Sequence, residues 1–356
     1  MHTPFLINIL RRVWISEMLE KFFGCFINSL KVSSPEKITE YEQAVMNDFS
    51  SNWEEIEQSF SAKLLGIHSM IYRPISRHEK SLIDLLDKRS HNMDSTDFHV
   101  PRLPTVIPKV LQVLRHKETD ISSLSKMLSV DMVLVGEVIR LANSAYHNRS
   151  RVYESLDQAI INIGFDGIKQ LVVTAALKPI ICSQAGHFSN ITNRYLWDKS
   201  INTSLLNDCV ARSLNANRFN AYLAGLVVQS GMIVVSRELD QCYNGKESLN
   251  NRRFIDEISR YVYIFSAEIS RQWQFPEAVS KALEEQLSCA NPVNMSKLGR
   301  ITFLSDKLVK VNLLKENGCS ISFDDDLSNV ITSDMYDVYN RCQKRIKENW
   351  VFVGSN

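Results

Sequence analysis

The residues that could hold a metal or move a proton are unevenly spread along this chain. Its eight histidines are His2, His68, His78, His91, His99, His116, His147 and His187, so none follows residue 187. Neutral imidazole is the usual nitrogen ligand for cations that activate water, and the usual general base beside a serine or cysteine nucleophile. The later part of the chain therefore lacks the group that either chemistry needs. In the central region only His116 and His147 are candidates for a general base, and both read as surface histidines. The seven cysteines (Cys25, Cys182, Cys209, Cys242, Cys289, Cys319, Cys342) show no C-x-x-C spacing, which predicts reduced, packed thiols in a reducing compartment and hence a cytoplasmic protein. No G-x-x-x-x-G-K-[ST] or G-x-G-x-x-G turn is present to cradle phosphates. The run Asp324-Asp325-Asp326 lacks the alternating spacing of an EF-hand and reads as a solvated loop or helix cap.

The elements that would position any site are helical. With 44% hydrophobic residues, 23% charged residues and only 12 glycines in 356, the balance is that of a soluble globular protein with few turns, and it predicts an all-α fold. Lys plus Arg number 41 against 40 for Asp plus Glu, so no overall field draws the chain to nucleic acid or to an acidic membrane face. The apolar N-terminus is interrupted by Arg11, Arg12, Glu17, Glu20 and Lys21, leaving no stretch of about 18 uncharged residues to cross a bilayer. Phe5, Ile9, Val13, Met18, Phe22 and Phe26 recur at helical spacing and predict an amphipathic helix that docks on the protein itself.

Organisation along the chain follows from the same periodicities. Tyr41, Val45, Phe49, Trp53, Ile56 and Phe60 form one apolar stripe, and Leu82, Ile83, Leu85 and Leu86 mark a later helix. Residues 88–104 are polar, aperiodic and carry Pro101 and Pro104, so a boundary is drawn near residue 97. Three units result: residues 1–97, a helical segment of unassigned role; residues 98–312, a helical bundle; and residues 313–356, a helical extension with its last helix around Tyr336–Trp350. Within the bundle, Asp120, Asp131 and the Ser155-x-x-Gln158 pair announce helix starts. Leu134, Val138 and Leu141 are spaced for one buried face, and Asn143-Ser144 can tie that helix end to the next segment.

These pieces carry a resemblance. Leu103-Pro104, the run Arg140-Leu141-Ala142-Asn143-Ser144-Ala145-Tyr146, then Ser155-Leu156-x-x-Ala159-Ile160-x-x-Ile163-Gly164, Leu196-Trp197-x-x-Ser200 and Ala224-Gly225-Leu226 together resemble the HDOD family of bacterial signalling modules, over about residues 100–310. The resemblance implies a multi-helix bundle related to HD-type phosphohydrolases, whose His and Asp side chains hold one or two cations. In such enzymes the counterpart of Ala224-Gly225-Leu226-Val227-Val228-Gln229-Ser230-Gly231 has His-Asp in its middle, and here those positions are Val228 and Gln229. An earlier ligand histidine is replaced by Lys199, whose ammonium has no lone pair to give a metal. Asp306 falls where the last acidic ligand is expected, and one carboxylate is not a metal site. The swap suggests that Lys199 takes the space of the lost cation and pairs with Asp306.

The expected function is therefore that of a non-catalytic bacterial regulatory module, with no catalytic residue, no metal and no cofactor, acting through a protein partner in a signalling pathway. The vestigial pocket would comprise Lys199, Val228, Gln229 and Asp306, while Asn143, Ser144 and Tyr146 are read either as structural or as ligand contacts. The alternatives are a cyclic dinucleotide bound in that pocket, or a residual metal-dependent phosphohydrolase. Residues 155–177 superficially read as helix, Gly-containing turn, helix. The second helix offers little beyond Lys169, Gln170 and Thr174 to a DNA groove, so packing is the expected role and nucleic acid is not an expected partner.

Overall fold

In the computed structural model the described residues are 53–93, 131–143, 152–182, 185–243, 245, 247–288 and 292–318, with 103, 108, 125, 128 and 129. Among them the fold is all-α, and the only β-type pairing is an isolated bridge between Ile71 and Asn251. The helices are α1 (residues 53–64), α2 (Arg77–His91), α3 (Met132–Ala142), α4 (Leu156–Ile163), α5 (Phe165–Cys182), α6 (His187–Ser213), α7 (Arg218–Val227), α8 (Gly231–Cys242), α9 (Arg252–Gln272), α10 (Glu277–Glu284) and α11 (Lys297–Glu316).

Local chemistry sets most of the helix starts. Asp131, Ser155, Asn217, Asn251 and Ser296 each accept a hydrogen bond from a backbone N–H in the first turn that follows. Ser76 does so within a full capping box. Its Oγ accepts from Glu79 N at 3.1 Å, and Glu79 Oε2 accepts from Ser76 N at 2.9 Å. The Gln158 carboxamide reaches back one residue further than a capping box requires, to Glu154 N at 3.0 Å.

Helix α6 is the axis of the bundle and packs on α5, α7, α8 and α11, while α9 packs on α2, α8 and α10. Leu134, Val138 and Leu141 are buried, as their spacing predicts. Helix α5 buries Ile168, Leu171, Val172, Val173, Ala175, Ala176 and Leu177, so its face is spent on core packing. Residues Arg218–Cys242 are apolar enough to cross a membrane by length and composition, yet 89% of that window is buried inside the fold. They cover α7, a tight turn and α8.

Two boundaries drawn from the sequence do not survive folding. One hydrophobic core contains Trp53, Ile56, Phe60, Leu64, Leu82 and Leu86 together with residues of α3 to α11. Residues 53–93 are therefore part of the bundle and not of a separate unit. Trp53 packs edge-on to Phe303 at 5.5 Å, Ser61 and Ser259 share a 2.8 Å hydrogen bond, and Thr192 donates to Leu64 O. The physical reason is that an amphipathic helix pair has too little apolar surface to close a core alone. Likewise the cut at residue 312 falls inside α11, where Leu313 and Leu314 are buried. The helix at residues 5–26, the caps and histidines at Asp120, His116 and His147, the acidic run at 324–326 and the helix around 336–350 lie outside the described residues.

A third correction concerns the thiols. Cys182 and Cys242 are free, but Cys209 on α6 is disulfide-bonded, its partner lying outside the described residues. Spacing along the chain registers only cysteines that are sequence neighbours, whereas this pair is made by the fold.

Candidate functional site

The octet from Ala224 to Gly231 is a packing joint. Every residue in it is buried, and Val228, Gln229 and Ser230 form the turn between α7 and α8. Its two glycines set how closely helices approach. A Cβ on Gly225 would lie 2.6 Å from the Ser204 backbone N of α6, and one on Gly231 would lie 2.0 Å from the Val262 carbonyl O of α9. Gly231 N donates to Ser266 Oγ at 2.8 Å, which ties the joint to α9.

Beside this joint lies the most heavily charged part of the interior. Lys199 Nζ of α6 contacts Asp306 Oδ1 of α11, so the pairing suggested by the sequence swap is present in the fold. The arrangement is larger than that pair. Lys310 Nζ, one turn beyond Asp306, lies 2.7 Å from Asp306 Oδ2. It also lies 2.6 and 2.8 Å from the two carboxylate oxygens of Glu57, which α1 contributes. Lys307 Nζ contacts Glu57 as well. Tyr263 Oη of α9 sits 2.8 Å from Glu57 Oε1 and 3.0 Å from Asp306 Oδ2, sharing its proton between the carboxylates, and accepts from Lys310 Nζ at 2.9 Å. Four helices thus meet in one network of three ammonium groups, two carboxylates and a phenol.

The network is graded in depth. The side chains of Lys199 and Lys310 are 0% exposed and that of Asp306 1%, while Lys307 is 5% and Glu57 14% exposed. Burial works against every charge here and is countered by the neighbours. Burial raises the Asp306 carboxyl, but Lys199, Lys310 and Lys307 outweigh it and hold the group well below the usual carboxylate range. Glu57 is lowered in the same way by Lys307 and Lys310. Lys310 gains enough from Asp306 and Glu57 to sit above the ordinary lysine value despite its burial. Lys199 does not gain enough. Burial, with Lys310 pressing in the same direction, brings its ammonium down to about 7 even with Asp306 in contact.

This geometry does not fit a catalytic cation. The Asp306 oxygens are engaged by Lys199, Lys310 and Tyr263, and Lys310, held above the ordinary lysine value, is an ammonium with no lone pair to donate. Among the described residues no group of three or more His, Cys, Asp or Glu side chains is placed to hold a metal. Of the four pocket residues read from the sequence, Lys199 and Asp306 meet directly. Val228 and Gln229 are buried in the joint and take no part in the network's hydrogen bonds.

Glu57, Tyr263, Lys307 and Lys310 escaped the sequence reading. Lys310 had a signal, since it follows Asp306 by four residues and shares its helix face. Glu57 had a partial signal, since it shares the helix face of Trp53 and Phe60, but its partners and Tyr263 lie more than 40 residues away and only packing brings them together. A second buried polar node was also missed. Asp208 accepts from Arg218 Nη2 at 2.7 Å and from Gln170 Nε2 at 2.9 Å, joining α5, α6 and α7.

Asn143 is committed to the backbone. Its Nδ2 donates to Tyr153 O at 2.8 Å and its Oδ1 accepts from Tyr153 N at 2.7 Å, so the amide clamps the segment that follows α3. Ser144 and Tyr146 lie outside the described residues. Replacing Asn143 with Ala strips two partners from a buried residue's backbone and is expected to cost about 1–3 kcal/mol in urea unfolding.

Comparison with known proteins agrees with this architecture. An HDOD domain protein with unknown function from Geobacter sulfurreducens has a similar structure, with a TM-score of 0.56 and 16% sequence identity, covering 76% of this chain and 95% of that one. A putative phosphohydrolase from Shewanella amazonensis SB2B aligns at a TM-score of 0.49 and 17% identity, over 73% of this chain and 97% of that one. An uncharacterized protein of Treponema pallidum (strain Nichols) is 18% identical over 237 residues, 61% of this chain, and the matched part is 45% of that protein's length. The HDOD domain model matches residues 100–288, more than half of the sequence and the whole span from α3 to α10, so the chain belongs to the HDOD domain family.

Proposed function

We propose that the chain is a non-catalytic bacterial signalling module that works through contacts with a protein partner. The observation that carries this reading is the replacement of metal-ligand chemistry by an internal ion network, in which Lys199 lies against Asp306 and no imidazole is available beyond His187. An ammonium can neutralise a buried carboxylate, but it cannot polarise a water for attack as a bound cation does. The network favours a fixed core over a reaction centre.

Purified full-length protein tests this. Elemental analysis is expected to find no zinc, iron or manganese in stoichiometric amount in folded protein. Incubation with bis(p-nitrophenyl) phosphate and added manganese is expected to release no nitrophenol above the buffer rate. Stoichiometric metal, or turnover that chelator abolishes, would reinstate the hydrolase reading.

A further inference from the structure

Helices α2 and α9 begin at one place on the surface, far along the chain from each other. Glu79, in the first turn of α2, is fully buried there. Its carboxylate accepts from the two terminal nitrogens of Arg73 at 2.6 and 2.7 Å, and from the backbone N of Asn251, the cap of α9, at 3.2 Å. Ile71 N donates to Asn250 O at 2.9 Å, Arg252 N donates to Ile71 O at 3.1 Å, and the Asn251 amide donates to Arg73 O. The segment from Ile71 to Ser76 is thus pinned by a buried carboxylate and by main-chain hydrogen bonds. Its conformation is set before anything binds.

What this rigid segment presents to solvent is apolar and cationic. Tyr72 is 81% exposed, and Ile71 and Ile75 are exposed on the same segment. The Arg252 guanidinium lies over the Tyr72 ring, 5.1 Å from its centroid. The charges run against the helix fields: Arg77 opens α2, and Arg252 and Arg253 open α9, whose first turn carries no acid. A helix N-terminus favours Asp or Glu and disfavours cations. Among the described residues none of these three arginines has an ion-pair partner, although Asp256, one turn on, lies within electrostatic range of Arg252. Ser76 and Asn251 cap the two helices, so the helix ends themselves are already satisfied. The unmet charge belongs to the arginines.

We infer that the stacked Tyr72–Arg252 pair, with Ile71, Ile75, Arg77 and Arg253, is the docking surface for an acidic segment of a partner protein in which carboxylates flank an apolar side chain. Charge complementarity selects the acid, and guanidinium selects the carboxylate, because its planar fork meets both oxygens at once. Tyrosine and arginine are the types that anchor protein interfaces, and a side chain already ordered loses little freedom on contact. A lipid surface needs only diffuse basic charge, which lysine supplies as well. A nucleic acid backbone needs a wider positive field than a chain of net charge +1 provides. Residues 71–77 precede the span matched by the HDOD domain model, so half of the surface is an addition to the shared fold. The inference rests on the protein-partner reading above and deepens it by naming the surface and the chemistry that meets it.

The experiment follows the fluorescence anisotropy of a labelled peptide of four Glu-Glu-Leu repeats as full-length protein is added. Wild type is expected to bind it saturably. Arg252→Gln/Arg253→Gln is expected to weaken binding at least tenfold and Tyr72→Ala at least threefold. Arg212→Gln/Lys281→Gln, which removes the same charge from α6 and α10, is expected to change it less than twofold. Far-UV circular dichroism checks that each variant keeps its helicity. Should the Arg252 and Arg253 pair fail to fold, Arg253→Gln alone decides, since that side chain is exposed, and a loss of threefold or more supports the surface. No binding by wild type, equal losses for the two charge-removing pairs, or full affinity in Tyr72→Ala overturns it. Tighter binding of a 12-base-pair DNA duplex, or of vesicles of phosphatidylcholine and phosphatidylserine at 3:1, overturns it as well. Metal-dependent turnover with peptide binding intact would keep the surface and refute the non-catalytic reading, whereas loss of the surface leaves that reading to its own metal and turnover tests.

Discussion

Asp306→Asn is expected to lose about 3–5 kcal/mol of unfolding free energy in urea, among the largest single effects in the chain. The substitution leaves shape nearly unchanged and removes one negative charge. Lys199 and Lys310, both fully buried, then lose the carboxylate that lies against them, and only Glu57 remains to oppose three ammonium groups. The cost comes from leaving cations uncompensated and exceeds what the lost hydrogen bonds alone would explain. Lys199→Met is the informative companion. It removes the surplus cation, leaves Lys307 and Lys310 against Asp306 and Glu57, and fills the space with an apolar side chain of similar length. It is expected to leave stability within about 1 kcal/mol of wild type, or to raise it, because replacing a buried charge by a packed apolar group is often neutral or stabilising. Equal losses for both variants would show that the pair acts by local contact and that network charge balance does not matter.

Gly231→Ala is expected to destabilise by about 1–3 kcal/mol or more through overpacking. The added methyl would sit 2.0 Å from Val262 O, 2.8 Å from Ser266 N and 2.9 Å from Phe265 Cβ. Two of those three atoms are backbone, so relief requires α9 to move away from α8 as a body, and that movement also stretches the 2.8 Å bond from Gly231 N to Ser266 Oγ. Gly136→Ala in α3 provides the opposite sign. Its methyl meets no atom within 4 Å among the described residues, and alanine is favoured over glycine inside a helix, so a gain of about 0.5–1 kcal/mol is expected. Urea midpoints of the two variants check the contrast, and a Gly231→Ala midpoint equal to wild type would mean the helix contact is looser than it is here.

The helical class, the caps at Asp131 and Ser155 and the buried face of Leu134, Val138 and Leu141 were legible because each is a local property. A side-chain oxygen reaches a backbone N–H three residues on, and apolar spacing near 3.6 residues defines a face whatever it packs against. The same holds for the absence of histidine after His187, which needs only a list of residues. The candidate site was legible in half. Lys199 and Asp306 could be paired by chemical type, since a base and an acid at positions that would otherwise carry ligands satisfy one another.

Glu57 and Tyr263 could not be found that way. Glu57 follows Trp53 by four residues and precedes Phe60 by three, which puts it on the buried face where Glu54 and Glu55 are not, but helical spacing does not say which cations it meets there. Domain boundaries failed for a related reason. The polar stretch near residue 97 marks where the chain leaves one set of helices, but membership of a core is decided by which apolar faces meet, and α1 and α2 meet α9 and α11. Sequence by itself thus determined the helical class, several helix starts and the absence of imidazole after His187, because these depend on residue identity and short-range spacing. Tertiary structure alone decided that four helices converge on one charged interior and that Glu57 of α1 joins it, because electrostatic energy depends on distances in space that spacing along the chain does not encode.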